Sequence, residues 1–308
     1  MKKTRVAKLA ITLLFGVLAV NAPAQPADSL RFESNFFQSI RANQVDSYIT
    51  FGQGFGNLEP LIFEGLISPY FLLRTSRNAR WGATISAAIL IRMEAEKSFP
   101  VRTPSYMPNA TFYHLISRKS DHVQYVFLTL MHHSNGQDDS FINDDGTYNT
   151  KTGDFSTNFI ELGAFFNKAV LPFTNTREYF RTSVEYHVNF ARSPELEGAY
   201  SFLRWHNSIR VFRFPLPKST LKKLGYKTQA PQVQTNIKTT WMFGDVNNAP
   251  FFDLKERFNL SITISYRPKV LDDVSFFANF YTGKDYYNMQ FMHRINVLQF
   301  GLQAYAFK

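Results

Sequence analysis

The 308-residue sequence contains no cysteine, which excludes a disulfide framework and any thiolate metal site. Beyond its N-terminus it offers no run of about 18 uninterrupted apolar residues, which excludes a single-pass helical anchor. No Ser/Gly/Pro-rich linker, internal repeat or low-complexity tract divides the chain, so one domain over residues 25–308 is the simplest reading. Gly-rich phosphate loops, an H-E-x-x-H helix and nucleotide motifs are also missing. The surplus of positive charge, a net +10, is spread along the chain, and only Lys218-Ser-Thr-Leu-Lys222-Lys223 forms a cluster. That distribution lacks the footprint of nucleic-acid binding and suits acidic lipid head groups.

What is present points to export and to strands. Lys2, Lys3, Arg5 and Lys8 precede an apolar run from Leu9 to Val20, and Ala22-Pro23-Ala24 supplies a small-x-small cleavage site. Residues 1–24 are therefore expected to be a cleaved signal peptide. Aromatics make up 16% of the chain, with 32 Phe and 15 Tyr, yet the mean hydropathy is −0.22. An aromatic, lipid-facing outside around a polar inside reconciles the two.

Period-two alternation supports this reading, because successive side chains of a strand point to opposite faces. From Tyr179 to Phe190 the odd positions are polar (Arg181, Ser183, Glu185, His187) and the even ones almost wholly apolar (Phe180, Val184, Tyr186, Val188). Phe258 to Tyr266 and Gln232 to Phe243 repeat the pattern. A soluble sandwich could alternate likewise, but the export signal, the Phe content and the strand count favour a transmembrane antiparallel β-barrel. Strands are expected near 46–55, 61–75, 81–95, 109–118, 121–134, 156–168, 177–190, 200–214, 232–245, 256–268, 273–283 and 293–307, about twelve. With both termini periplasmic, the linkers at 96–108, 135–155, 191–199, 246–255 and 284–292 fall outside the cell, and 215–231 is a periplasmic excursion.

His132-His133-Ser134-Asn135-Gly136 closes the fifth expected strand, so His132 and Ser134 project from one face. A hydroxyl beside an imidazole is what an activated serine nucleophile needs. Asn158 on the next strand is in phase with Ile160 and Leu162, as His132 and Ser134 are with Leu128 and Leu130. All three polar residues thus fall in the outward row near the rim, where hydrogen bonding to one another would offset the cost of facing hydrocarbon. On spacing alone, the stronger reading of His132 and Ser134 is as ordinary rim residues at a strand end, where water is available. His133 points to the lumen, with Glu161, as a packing or hydrogen-bonding residue.

The segment resembles the active-site region of the outer-membrane phospholipase A family, twelve-stranded barrels whose H-x-S-N-G motif supplies base and nucleophile and whose next strand supplies an Asn. His132, Ser134, Asn135 and Gly136 match that motif, and Ser156-Thr157-Asn158 matches the S-x-N element. Ser98-Phe-Pro100-Val-Arg102-Thr-Pro-Ser-Tyr106-Met-Pro108 is similar to the family's loop after the third strand. Tyr281-Thr-Gly283 with Tyr287-Asn288-Met-Gln-Phe291 is similar to its last hairpin.

The resemblance implies a calcium-dependent phospholipase of the bacterial outer membrane, acting on glycerophospholipids and working as a homodimer. Ser134 would be the nucleophile, His132 the base, Asn158 the residue that orients the imidazole, and the Gly136 N–H an oxyanion donor. Calcium would take the Gln137 carbonyl, Asp154 and Ser98, with Phe99 standing where the family has a Ser that lends an oxygen across the dimer. Asp154 replaces a family Ser, Gln137 an Arg, and Lys308 a terminal aromatic. The loop is also longer and more acidic, with Asp138, Asp139, Asp144 and Asp145. Two rivals remain in view: a lipid A deacylase, which carries H-x-S on a smaller barrel with an acidic third member, and a porin-like barrel without activity.

Overall fold

The computed structural model describes residues 36–51, 61–76, 79–94, 97–98, 100–117, 123–173, 175–217, 220, 231–271 and 273–304. The expected signal peptide, Phe99, the three lysines of the Lys218–Lys223 cluster, most of the 215–231 linker and Lys308 lie outside these residues. Thirteen strand segments follow one another in sequence: β1 (Tyr48–Thr50), β2 (Leu61–Ile67), β3 (Tyr70–Leu73), β4 (Trp81–Glu94), β5 (Ser105–Leu115), β6 (Gln124–Ser134), β7 (Ser156–Asn167), β8 (Thr176–Val188), β9 (Leu203–Arg213), β10 (Val233–Phe243), β11 (Phe258–Tyr266), β12 (Val274–Lys284) and β13 (Arg294–Ala304). Each pairs antiparallel with its sequence neighbours except β2 and β3, which both pair with β4, and β1 pairs with both β2 and β13, which closes the sheet.

The barrel is twelve-stranded, because β2 and β3 both lie along β4 and form one strand broken at Ser68-Pro69. Proline has no N–H to give to a ladder. Among the described residues no helix is long and apolar enough to cross a membrane, and the crossing is made by strands, whose backbone groups closure satisfies without leaving an edge.

Alternation sorts the two faces. Inward residues such as Tyr125, Phe127, Thr129, Thr157, Glu161, Ser183, Glu185 and His187 are buried. The outward row between them is apolar and exposed, with Leu128, Leu130, Ile160, Leu162, Val184 and Tyr186. Exposed leucines beside fully buried threonines invert a soluble sandwich and mark a lipid-facing wall.

Buried lumenal charges are paired. Arg92 bridges Glu64 and Asp285 at 2.8 Å each. Arg181 meets Glu161, and Glu185 binds Arg204 and His206 at 3.2 Å and His187 at 2.7 Å. Such pairing is what makes buried charge tolerable.

Two departures from the sequence expectation have physical causes. β5 begins at Ser105, four residues before the expected 109. Pro108 reads as a breaker, but it faces outward, and the β5–β6 ladder steps over it between Tyr106↔Ser134 and Asn109↔Met131. A helix at 36–42 precedes β1, where no element was expected. Its Phe36, Phe37 and Ile40 enter the barrel end remote from His132 and pack on Tyr113, Tyr125, Phe165, Tyr179 and Phe212. Arg210 donates to the Ala42 carbonyl at 2.6 Å and so ties down the helix end. At the opposite end Phe141, Phe155, Leu196, Tyr200, Met289 and Phe291 form a second cluster beneath the loops.

Candidate active site

β6 ends in His132-His133-Ser134, and the alternation that buries His133 turns His132 and Ser134 outward, where both are half-buried. The β6–β7 register sets His132 opposite Asn158 and Ser134 opposite Ser156. Across that pair His132 Nδ1 and Asn158 Oδ1 are 2.9 Å apart. The other half of the amide is engaged as well: Asn158 Nδ2 donates to the carbonyls of Phe190, at 2.6 Å, and Ala191, at 3.3 Å.

Two carbonyls can only accept, so they force the amide nitrogen toward themselves and the amide oxygen toward the imidazole. An oxygen facing Nδ1 in turn makes Nδ1 the protonated ring nitrogen. Nε2 is left with its lone pair, as a general base requires.

The 189–193 turn that supplies these carbonyls is pinned to the same strand. Ser156 Oγ donates to the Ala191 carbonyl at 2.8 Å, and the Ser156 N–H donates to Ser193 Oγ at 2.9 Å. Ala191 has φ 47°, a left-handed conformation that non-glycine residues rarely adopt and that recurs at functional sites. Sequence reasoning missed this brace, because its acceptors are main-chain oxygens that no side-chain pattern reveals.

Ser134 shares the outward face with His132, but no hydrogen bond joins the two in this structure. Pairs of this kind commonly tighten only around bound substrate. Beyond Ser134 the chain turns at Gly136, whose φ of 68° suits glycine. Asn135, buried at 2% exposure, locks the turn to the strand that follows. Its side chain donates to the Gly153 carbonyl at 2.8 Å and accepts from the N–H groups of Phe155 at 3.0 Å and Gln137 at 3.3 Å.

The oxygen-bearing residues of the loops are partly gathered. The Asp154 N–H donates to the Asp139 carbonyl at 2.9 Å, which holds the Gln137 and Asp154 segments side by side. Partial burial lifts the Asp154 carboxyl above its usual range, and repulsion from Glu195 and Asp138 adds to the rise. Ser98 is exposed, with φ 72°, and shares no hydrogen bond with Gln137 or Asp154. Among the described residues no group of three His, Cys, Asp or Glu is placed to hold a metal. Carboxylate, carbonyl and hydroxyl oxygens are nonetheless the ligands a hard cation takes, and a cation beside Asp154 would relieve its repulsion. Asp145 is otherwise occupied, accepting from the Thr147 N–H at 2.9 Å and from its hydroxyl at 2.6 Å.

No protein-family model matches the sequence, and no curated protein matches it. Solved structures match the barrel. Outer membrane phospholipase A from Escherichia coli does so with a TM-score of 0.57 and 11% identity, over 90% of this chain and 98% of that one. The chain has the fold of outer membrane phospholipase A.

The Salmonella typhi outer membrane phospholipase, a dimer with bound calcium, has a TM-score of 0.58 at 12% identity over 87% of this chain and 98% of that one. An active-site mutant of the Escherichia coli phospholipase, with an Asn replaced by Ala, gives 0.56 at 11% identity over 91% and 99%. At these identities the likeness to the phospholipase A barrels is one of fold, and chemistry has to be argued from the site itself.

Proposed function

We propose that this chain is a serine-type phospholipase of the bacterial outer membrane, with Ser134 as nucleophile, His132 as general base and Asn158 as the orienting residue. The carrying observation is the His132–Asn158 hydrogen bond on the outward wall, with Ser134 two residues away on the same face. A glycerophospholipid in the surrounding leaflet meets that wall directly, its acyl chain running along Leu130, Leu128, Ile160 and Leu162.

In the reading we favour, His132 Nε2 takes the Ser134 proton as Oγ attacks the acyl carbonyl carbon. The same nitrogen then gives that proton to the departing lysolipid oxygen, and water repeats the cycle on the acyl-enzyme. Asn158 fixes the imidazole tautomer without supplying the countercharge an Asp would. The Gly136 N–H is suited to the oxygen of the tetrahedral intermediate. Calcium held by Asp154, the Gln137 carbonyl and Ser98 would supply positive charge beside that oxygen. The dimer with bound calcium among the matched structures supports assigning both calcium and a homodimer to this chain.

The rivals fare less well. A lipid A deacylase would place a carboxylate where Asn158 stands. A porin needs an open lumen, whereas this one is crossed by ion pairs and stoppered at one end by the 36–42 helix. Fatty-acid release from phospholipid–detergent micelles by the purified, folded protein tests the reading, and no release at any calcium concentration would favour a barrel without activity.

The amide brace yields a specific expectation. Asn158→Ala should lower kcat by roughly tenfold to a hundredfold, the scale of about 1.5–3 kcal/mol for one hydrogen bond to a group that becomes charged. Asn158→Asp should do no better at neutral pH, because its second oxygen would face the Phe190 and Ala191 carbonyls without a proton. Steady-state kinetics of both variants decide this, and an Asp variant as fast as the wild type would show that the carbonyls do not set the orientation.

A further inference from the structure

On the lumenal side of the same strand, His133 is only 8% exposed, and its Nε2 is buried without a hydrogen-bond partner. A buried ring nitrogen left without a partner calls for an explanation; the ring lies 4.9 Å from that of Phe155 and opposite Thr157 on β7, and two of its other inward neighbours are thioethers. Between the pairs Tyr106↔Ser134 and Asn109↔Met131, which share one register, Met107 stands opposite His133. Met131 is the next inward residue along β6. Cross-strand partners have Cβ atoms about 5 Å apart, and inward neighbours on one strand lie roughly 7 Å apart. Two flexible thioethers and one imidazole therefore occupy neighbouring inward positions of β5 and β6. All three line a single cavity of about 190 Å³.

The charged groups around this cavity are already matched. Arg204 pairs with Glu185 at 3.2 Å, Asp285 with Arg92 at 2.8 Å, and Lys284 with Glu256 at 2.5 Å. Among the described residues lining the cavity, no carboxylate is left unpaired to bind a hard or divalent cation. Uncharged sulfur donors with one imidazole select a soft, monovalent ion.

We propose that Met107, Met131 and His133 form a binding site for Cu(I), separate from the outward site and independent of the phospholipase reading. The test is an anaerobic competition in which the purified, folded barrel is titrated against the Cu(I)–bicinchoninate complex and the chelator's absorbance is followed. About one equivalent of copper should move to the protein, with both sulfur and nitrogen in the copper's X-ray absorption signature.

Leucine keeps the volume of methionine and is well tolerated in cores, so the Met107→Leu, Met131→Leu double variant should fold and keep the heat-dependent electrophoretic shift of a folded barrel. Its Cu(I) affinity should fall at least a hundredfold, tenfold or more for each lost thioether. Copper that stays with the chelator in the presence of wild type would overturn the proposal. So would a double variant that binds as tightly as wild type, which would place the metal on other methionines such as Met242 or Met289.

Discussion

Ser134→Ala is expected to reduce phospholipid hydrolysis to the uncatalysed background while leaving the barrel intact, a loss on the order of 10⁵–10⁶-fold by comparison with other serine hydrolases. The expected size follows from the position of the residue: without Oγ no acyl-enzyme can form, and the remaining groups can only polarise the ester. His132→Ala should fall to a similar floor, because a serine hydroxyl whose proton has no acceptor is a poor nucleophile. The double variant should then be hardly worse than either single one, since residues that act as a unit lose their effect together. Ser134 and His132 face outward at a strand end and carry none of the lumenal ion pairs. Both variants should therefore keep the heat-dependent electrophoretic shift of a folded barrel. Residual activity within tenfold of wild type in Ser134→Ala would assign the nucleophile elsewhere. Single-variant losses that multiply in the double would show that His132 does not act through Ser134.

The proposed calcium site predicts a second large effect. Chelation with EGTA should lower the rate by roughly 10²–10³-fold, the scale of losing one electrostatic contact to the developing oxyanion, and added calcium should restore it. The pH dependence follows from Asp154. Partial burial, with Glu195 and Asp138 nearby, raises its folded-state pKa, so the folded protein keeps this proton to higher pH than an unfolded chain does. The charged form is thus a local cost to the fold above that pKa, and the cost disappears as pH falls through it or as a cation binds. If Asp154 holds calcium as proposed, the ion would compete with that proton, so its affinity should weaken on acidification at a higher pH than for an ordinary aspartate. Asp154→Asn should lower the affinity and flatten this dependence. Titrations of rate against free calcium at several pH values provide the measurement; a rate indifferent to EGTA, or an Asp154→Asn curve that overlays wild type, would remove Asp154 from the site.

Much of the architecture can be read from period two alone. β6, β7 and β8 alternate cleanly enough that the inward row of Glu161, Glu185 and His187 and the outward row of Leu130, Ile160 and Tyr186 can be assigned residue by residue. The same phase puts His132, Ser134 and Asn158 on one face. What was missed depends on context. Pro108 looks like the end of a loop until its outward orientation and the skipped ladder position are known. Phe36, Phe37 and Ile40 carry a helical i, i+1, i+4 spacing, but too short a one to be trusted without the cavity they fill. The pairing of Arg92 with Asp285, 193 residues apart, is a product of barrel closure. The carbonyls of Phe190 and Ala191 would be offered by any residues at those positions, so only the backbone path explains why this site takes Asn158 rather than an Asp.

The central claim is that a hydroxyl on the outer wall is chemically activated, and covalent capture tests it most directly. A long-chain alkylsulfonyl fluoride, presented in micelles with calcium, should sulfonylate a single residue. Peptide mass spectrometry should place the adduct on Ser134 in wild type and find none in His132→Ala. Ser156 is the control built into the fold, an outward serine directly across the ladder from Ser134 whose hydroxyl is already donated to the Ala191 carbonyl. Label on Ser134 that depends on His132 is the predicted result. Label on Ser156, or hydrolysis that continues in a protein with no labelled serine, would contradict the account.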